Sequence, residues 1–180
     1  MISIPRIAGR ALVAVSALAA SWACHAVDGT VTINGIVTNE TCTINGGGSA
    51  SSFTVTLPRV SSAALASAGA VAGRTSFSLA LTGCSGFSSG TVFAYFEPGP
   101  TINAAGRLIN AGTATNLDIE LLNSSFGSVN LMQNSGSQNA TTAGVSASAA
   151  TLTHYAQYRA TGAVAPGTVS TSVTYTIVYP

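Results

Sequence analysis

The stretch VSTSVTYTIVY, residues 169–179 of a 180-residue chain, decides the fold. Apolar side chains occupy every second position of its second half, and the hydroxyl residues Ser172, Thr174 and Thr176 alternate with them. The apolar row consists of Val173, Tyr175, Ile177 and Tyr179. Because successive side chains of a β-strand point to opposite faces, this alternation predicts a strand with one buried face and one polar face.

The same period of two recurs along the chain, separated by stretches rich in Gly, Ser, Asn and Thr. The segments that show it are residues 31–37, 53–57, 77–81, 92–96, 117–121 and 152–160. The Ala-rich segment 61–72 is the one candidate helix, and Gly69 and Gly73 limit it to a turn or two. We therefore predict an all-β fold, a single sandwich of short antiparallel strands.

Residues 1–26 have the pattern of an export signal. Arg6 and Arg10 flank its start, and the apolar run that follows, residues 11–20, is too short to cross a bilayer. Cleavage is expected after Ala26, with a competing site after Ala23. Lipid attachment at Cys24 is a less favoured alternative, because no aliphatic residue lies three places before it. The predicted organisation is a signal peptide (1–26), an N-terminal extension (27–41) and one domain (42–180).

Removal of the signal leaves Cys42 and Cys84 as the cysteines of an exported chain. Exported proteins fold in an oxidising compartment, so these two cysteines are predicted to form a disulfide. The loop of about 40 residues that it closes corresponds to roughly 4 kcal/mol of stabilisation in the chain-entropy description.

The charge content is low. Beyond the signal, the sequence has arginines at 59, 74, 107 and 159, five acidic residues and no lysine. Without a basic patch, nucleic acid is not an expected partner. Low charge gives little repulsion between copies, which suits a protein that packs against itself. A small secreted domain kept soluble by hydroxyl groups has the same composition.

The residues required for catalysis are scarce. His154 is the one histidine after the signal, and it falls inside a predicted strand, where a structural role is expected. Asp118 and Glu120 alternate with apolar residues, which is typical of a solvated strand face rather than of a paired-carboxylate active site. The sequence shows no metal-ligand spacing. We predict that the protein is not an enzyme and holds no cofactor.

The patterned segment ahead of Cys42 is unusual for a sandwich. If the disulfide anchors residue 42 in the core, residues 27–39 form an arm of about 13 residues that spans roughly 40 Å when extended. At the other end, the chain stops directly after its last alternating strand. An exposed arm of this kind is expected to add a strand to another molecule.

These segments, in this order, resemble the type 1 pilin subunits of chaperone/usher fimbriae. The resemblance covers nearly the whole chain after the signal and combines the arm, the two cysteine segments, the middle strands and a penultimate tyrosine. The matching pieces are residues 29–37, 41–44, 55–58, 77–84, Leu108 with Asn110, 117–122, 155–158, Gly167 and 175–179. A proline at position 180 departs from the family pattern, since it lacks an N–H for strand pairing.

The resemblance implies an immunoglobulin-like sandwich that lacks its last strand and is completed by a donor strand from another subunit. Gly35 matches the glycine of the family's arm. The implied donor face consists of Gly29, Val31, Ile33, Gly35 and Val37. The implied acceptor-groove strand carries Val173, Tyr175, Ile177 and Tyr179.

The function implied by the resemblance is a structural subunit of a fimbrium that supports adhesion at the bacterial cell surface. Its expected partners are other pilin subunits in a head-to-tail polymer, a periplasmic chaperone and an outer-membrane usher. The alternative from a different functional class is a monomeric secreted carbohydrate-binding β-sandwich. A lectin of that kind would complete its own sheets, whereas a pilin would need a partner.

Overall fold

The computed structural model describes residues 31–32, 41–45, 47–86 and 90–179. The chain divides into two compact units, residues 1–36 and 37–180. Of the first unit, Val31 and Thr32 alone are described. The predicted signal peptide lies outside the described residues, and the predicted boundary between residues 41 and 42 stays a prediction.

The described residues confirm the all-β prediction. Their strands are β1 (Thr41–Ile44), β2 (Val71–Ser85), β3 (Thr91–Phe96), β4 (Leu108–Ile109), β5 (Thr115–Leu122), β6 (Thr142–Gly144), β7 (Ala150–Ala165) and β8 (Tyr175–Val178). Two 3-10 turns, Gly48–Ser51 and Ser62–Leu65, complete the regular elements. None of the helices in the described ranges has the length and apolar character needed to cross a membrane.

The strands form two antiparallel sheets. One sheet has the order β1-β2-β7-β5-β4, and the other has the order β6-β3-β8. The period of two in the sequence puts one face of each long strand in the core between the sheets. Leu79 of β2, Val92 of β3 and Leu152 of β7 are fully buried there. Burial of each such side chain is worth about 1.5 to 3 kcal/mol relative to exposure.

A glycine allows β2 to pass close to β7. The pairing of these strands shifts register between Ala72 and Thr75, and Gly73 between them has φ +67°. A Cβ at this position would lie 2.8 Å from a ring carbon of Tyr158. Only glycine combines this backbone conformation with the absence of a side chain, so the bulge depends on it.

The predicted disulfide is present. Cys42 in β1 and Cys84 in β2 are bonded, with 4.1 Å between their Cα atoms. The N–H of Cys42 also donates a hydrogen bond to the hydroxyl of Tyr179 over 3.2 Å. The bridge therefore ties β1 to β2, and the hydrogen bond places this end of the sandwich next to Tyr179, the residue after β8.

The expectation of a solvated face at Asp118 and Glu120 is wrong. These residues are 7% and 4% exposed, and they pair with Arg107 at 2.9 Å and Arg159 at 3.2 Å. Burial alone would raise the pKa of Glu120, but hydrogen bonds from Gln157 and Ser128 and the Arg159 charge hold that pKa below its ordinary value. Alternation identifies the polar face of a strand but not whether arginine side chains cover it.

One predicted strand, and the first part of the predicted strand 169–179, lie outside the strand ladders of the described structure. Residues 53–57 and 169–174 have no ladder partner among the described residues, although both segments alternate in sequence. Conversely, β1, β4 and β6 were not predicted as strands. β4 and β6, at two and three residues, are too short for a period of two to be recognised, and β1 has only four residues.

Candidate functional site

The two unpaired segments border one open groove of about 1270 Å³. We call residues 51–60 the N-terminal rim and residues 164–175 the C-terminal rim. Between the rims, the floor is made by apolar side chains from both sheets. The floor residues are Leu65, Leu79, Phe96, Leu117, Ile119, Leu121, Ala156 and Tyr158. The groove thus runs along one side of the sandwich, and its floor consists of core side chains that are each no more than 9% exposed.

The C-terminal rim has an inner face and an outer face. From Val169 to Tyr175, its odd-numbered residues are half-buried, and the even-numbered residues between them are exposed. The inner residues are Val169, Thr171, Val173 and Tyr175. The apolar members of this row pack against the core. The rim is therefore an extended strand that presents one row of side chains to the groove.

Backbone hydrogen bonds fix the register of the C-terminal rim. The carbonyl oxygens of Thr168, Ser170 and Thr174 accept from the N–H groups of Ala114, Ala111 and Glu97 over 2.8 to 3.0 Å. All of these rim residues are even-numbered. Because backbone groups of alternate residues in an extended chain point to opposite edges, the odd-numbered residues direct theirs toward the groove. The backbone groups at the groove edge are thus oriented to form hydrogen bonds with one more strand.

Asn110 secures the outer edge of this rim. Its side-chain oxygen accepts from the N–H of Ser170 at 2.9 Å, and its amide nitrogen donates to the carbonyl oxygens of Thr168 and Ala114 at 3.3 and 2.8 Å. Gly167 lets the two backbones approach, since a Cβ there would overlap the backbone at Ala114. The rim is therefore held from outside, without help from the groove.

The N-terminal rim is held at both ends. At one end the Tyr175 hydroxyl donates to the carbonyl oxygen of Ser51 over 2.6 Å. At the other end Val60 lies beside the Gly73 bulge, where β2 meets Tyr158. The two rims therefore run antiparallel, and Ser51 faces the late part of the C-terminal rim. Among the described residues, 53–60 belong to no strand ladder.

This geometry suits a guest strand rather than a small reactant. An apolar floor between two backbone edges can accept an extended segment whose apolar side chains point inward. Among the described residues, no group of three His, Cys, Asp or Glu is placed to hold a metal ion. The groove has the shape of one missing strand of the sandwich.

The structure places the predicted site residues in different surroundings. Val173 and Tyr175 line the groove. Ile177 is 7% exposed in the core, opposite Ala94 of β3. Tyr179 lies at the disulfide end, where it accepts from Cys42. Their role as acceptor residues stays a prediction.

The predicted donor face falls almost wholly outside the described residues. Of its five members, Val31 alone is described, and it is 86% exposed. The sequence did not indicate Val164, Val169 and Thr171 as groove residues. Pro166 and Gly167 separate Val164 from the alternating strand, and the polar Thr171 interrupts the apolar row between Val169 and Val173, so the row was recognised only from Val173 onward.

Comparison with known proteins gives the family. The family model described as "FimA: Type-1 fimbrial protein, A" matches residues 57–180. The chain belongs to the type 1 fimbrial pilin family. This pilin is 47% identical over 172 residues to the "Major fimbrial subunit SMF-1" of Stenotrophomonas maltophilia, covering 89% of this chain and 98% of that protein. It is 37% identical over 175 residues to the "F17 fimbrial protein" of Escherichia coli, covering 93% and 96%.

Solved structures support the fold of this pilin. The P pilus rod subunit PapA matches 84% of this chain and 100% of its own, with TM-score 0.55 and 23% identity. A subunit from a chaperone-usher pilus structure concerned with rod uncoiling matches 86% and 96%, with TM-score 0.62 and 22% identity. The fold is an incomplete immunoglobulin-like sandwich.

His154 is a buried structural residue of this pilin, close to the groove. Its ring stacks on Phe77 at 5.6 Å and meets the edge of Phe96 at 5.2 Å, and both aromatic rings line the groove. Its Nε2 accepts from the N–H of Thr141 over 3.1 Å. Burial lowers the pKa of His154 from 6.5 to about 4.

Acid is therefore expected to destabilise this pilin through His154. A lowered folded-state pKa means that the contribution is complete above pH 6.5 and is lost as pH falls from 6.5 toward 4. The maximum loss is about 3 kcal/mol, from 1.36 kcal/mol per pKa unit. Urea unfolding at several pH values measures it. His154→Gln, which cannot take up the proton, should remove most of the pH dependence in this window, and an unchanged slope would contradict the assignment.

Proposed function

We propose that this fimbrial subunit polymerises by donor-strand exchange, with residues 27–39 of one copy filling the groove of the next. The open groove itself carries the proposal. Its floor is apolar, and it is bordered by two rims without ladder partners among the described residues. The arm in the same chain has a matching alternation of apolar residues. A strand that pairs with the rims and covers the floor would complete both sheets' core.

The register of such an arm follows from the C-terminal rim. Inward-facing arm residues must lie opposite the odd-numbered rim residues, because directly opposed residues share a face of the sheet. Antiparallel pairing suits this edge, since every strand pair in the described structure is antiparallel. Arm and rim can then shift only in steps of two residues without turning the apolar row to solvent.

Thr171 favours one of these steps. Of the two hydroxyl groups in the inner row, that of Tyr175 donates to Ser51, whereas the Oγ1 of Thr171 is buried without a hydrogen-bond partner in the described structure. Glycine has no side chain, so a register with Gly35 opposite Thr171 places no apolar group against that hydroxyl. The same register sets Ile33 opposite Val173 and Val37 opposite Val169. Shifts by two residues would bring Ile33 or Val37 onto the unpartnered hydroxyl, which disfavours them.

Assembly by this route is a head-to-tail contact, which generates an open filament rather than a closed ring. Until an arm arrives, the apolar floor needs protection from aggregation. A periplasmic chaperone that lends a strand and an outer-membrane usher that joins successive subunits would supply it. The filament would then form on the cell surface after export and support adhesion. In this scheme residues 1–26 are the signal and 27–41 the donor extension.

Deletion of residues 27–39 tests the proposal. The shortened subunit should keep its sandwich and bind a chaperone, because groove and core lie elsewhere in the chain. It should accept a synthetic peptide of residues 27–39 but be unable to extend a fibre. Peptide exchange followed by native electrophoresis, with electron microscopy of fibres, measures both activities.

The matched control is a peptide of identical composition in which Ile33 and Asn34 are exchanged, so that the alternation is broken at its centre. It should exchange much more slowly. Normal polymerisation of the shortened subunit, or equal exchange of the two peptides, would show that the arm is not the donor.

A further inference from the structure

Most arginines of the described structure have partners. Arg107 pairs with Asp118, and Arg159 pairs with Glu120. Arg74 donates to Gln157 at 3.0 Å. These guanidinium groups therefore bind other residues of the sandwich.

Arg59 differs from them. It is exposed, it lines the groove, and the described structure gives it no hydrogen bond or ion pair. It is also the one charged side chain among the groove-lining residues. A positive charge at the border of an apolar groove is suited to a negatively charged group on whatever enters the groove.

The position of Arg59 along the groove is defined. Its neighbour Val60 lies beside Gly73, whereas Ser51 at the opposite end of the rim contacts Tyr175. The rims run antiparallel, Arg59 follows Ser51 by eight residues, and Pro166 precedes Tyr175 by nine, so two extended rims bring Arg59 to the level of Pro166. It thus marks one end of the groove.

The N-terminal extension, which comprises the arm and residues 40 and 41, has a carboxylate on each side of the apolar row of the arm. Asp28 precedes Gly29, and Glu40 follows Val37 by three residues. With the arm antiparallel to the C-terminal rim and Gly35 opposite Thr171, Glu40 falls at the level of Pro166. Asp28 falls at the other end of the groove. Only one of the two carboxylates can therefore reach Arg59.

We propose that Arg59 of the accepting subunit binds the Glu40 carboxylate of the incoming arm, and that this pair selects the direction in which the arm lies. The inference rests on the donor-strand exchange proposed above. A reversed arm would place Asp28 near Arg59 and leave Glu40 alone at the far end. Because exposed ion pairs contribute modestly, the pair acts on direction and register, while the apolar row supplies most of the affinity.

Exchange of arm peptides into the full chain, presented as its chaperone complex, tests this pair. The peptides span residues 27–41 and carry the natural sequence, Glu40→Arg or Asp28→Arg. The acceptors are the natural chain and Arg59→Glu, a change expected to leave folding intact because Arg59 is exposed. Competition at low salt gives relative affinities.

On the natural acceptor, Glu40→Arg should bind roughly fivefold more weakly than the natural peptide, and Asp28→Arg should bind equally well. On Arg59→Glu, the natural peptide should weaken by a similar factor and Glu40→Arg should recover. Salt at about 1 M should reduce these differences, because screening acts on exposed charges.

Three results would count against the pair, and they have different meanings. If no peptide enters the groove, donor-strand exchange itself fails. If all peptides bind equally to both acceptors, exchange holds and the Arg59–Glu40 pair is overturned. If Arg59→Glu rescues Asp28→Arg rather than Glu40→Arg, the arm lies parallel to the C-terminal rim and the assignment to Glu40 is overturned.

Discussion

Ile33→Asp is expected to block fibre assembly, while Asn34→Asp, one residue away, leaves assembly close to that of the natural chain. In the proposed register Ile33 packs opposite Val173 above the apolar floor. Loss of its burial costs about 1.5 to 3 kcal/mol, and a carboxylate without a partner in that position costs several more. Position 34 faces solvent, where substitutions usually change stability by less than about 0.5 kcal/mol.

Strand exchange between a chaperone-bound subunit and each arm peptide measures the difference. We expect the Ile33→Asp complex to be more than about a hundredfold weaker, from the sum of the two costs and 1.4 kcal/mol per factor of ten. Both full-length variants should be recovered with the chaperone in natural amounts. Equal exchange by the two peptides would mean that the donor face is assigned to the wrong side of the arm.

Removal of the disulfide is expected to have the second large effect. Cys42 and Cys84 are 42 residues apart in the sequence, and closing a loop of this length is worth roughly 4 kcal/mol. A sandwich with an open groove buries less apolar surface than a complete one, so the loss is a large fraction of its stability. Cys42→Ser combined with Cys84→Ser should unfold at a much lower urea concentration.

Reduction of the natural chain provides the matched control, because it breaks the same bond without substituting any residue. Reduced and doubly substituted chains should have similar unfolding midpoints. An arm peptide bound in the groove should raise the unfolding midpoints of the reduced and the doubly substituted chains, since the peptide binds only the folded state. A double variant as stable as the oxidised chain would contradict the stabilisation assigned to the bridge.

Alternation in the sequence predicted the buried faces well. Leu79, Leu81 and Leu152 lie in the core of β2 and β7 as the period of two requires. The disulfide followed from export and from the count of cysteines. In these cases one physical requirement, burial of an apolar row or oxidation of a thiol pair, determines the outcome locally.

The rims show where this reasoning ends. Phe53 to Leu57 alternate as well as any paired strand, yet they belong to no ladder among the described residues. Alternation reports which side chains are buried, but the pairing of backbone edges depends on which strand comes next in the sheet. The open groove beside the rims therefore results from the topology of the whole sandwich, and no single segment of the sequence indicates it.

Asp118 and Glu120 illustrate a second limit. Polar residues on alternate positions were expected to face water, but Arg107 and Arg159 cover the two carboxylates. Whether a polar group is solvated depends on long side chains and loops that come from distant parts of the sequence, and periodicity does not contain that information.

The Cys42–Cys84 bridge has a mechanical consequence for the proposed fibre. When such a fibre is pulled, force enters each subunit through the arm and reaches residue 42. The covalent bridge passes that force directly to the end of β2, so the chain between the two cysteines is bypassed. The N-terminal rim lies within this bypassed loop. Load that enters at residue 42 therefore does not pass along the backbone of the N-terminal rim, which helps this wall of the groove to keep its shape as the fibre stretches.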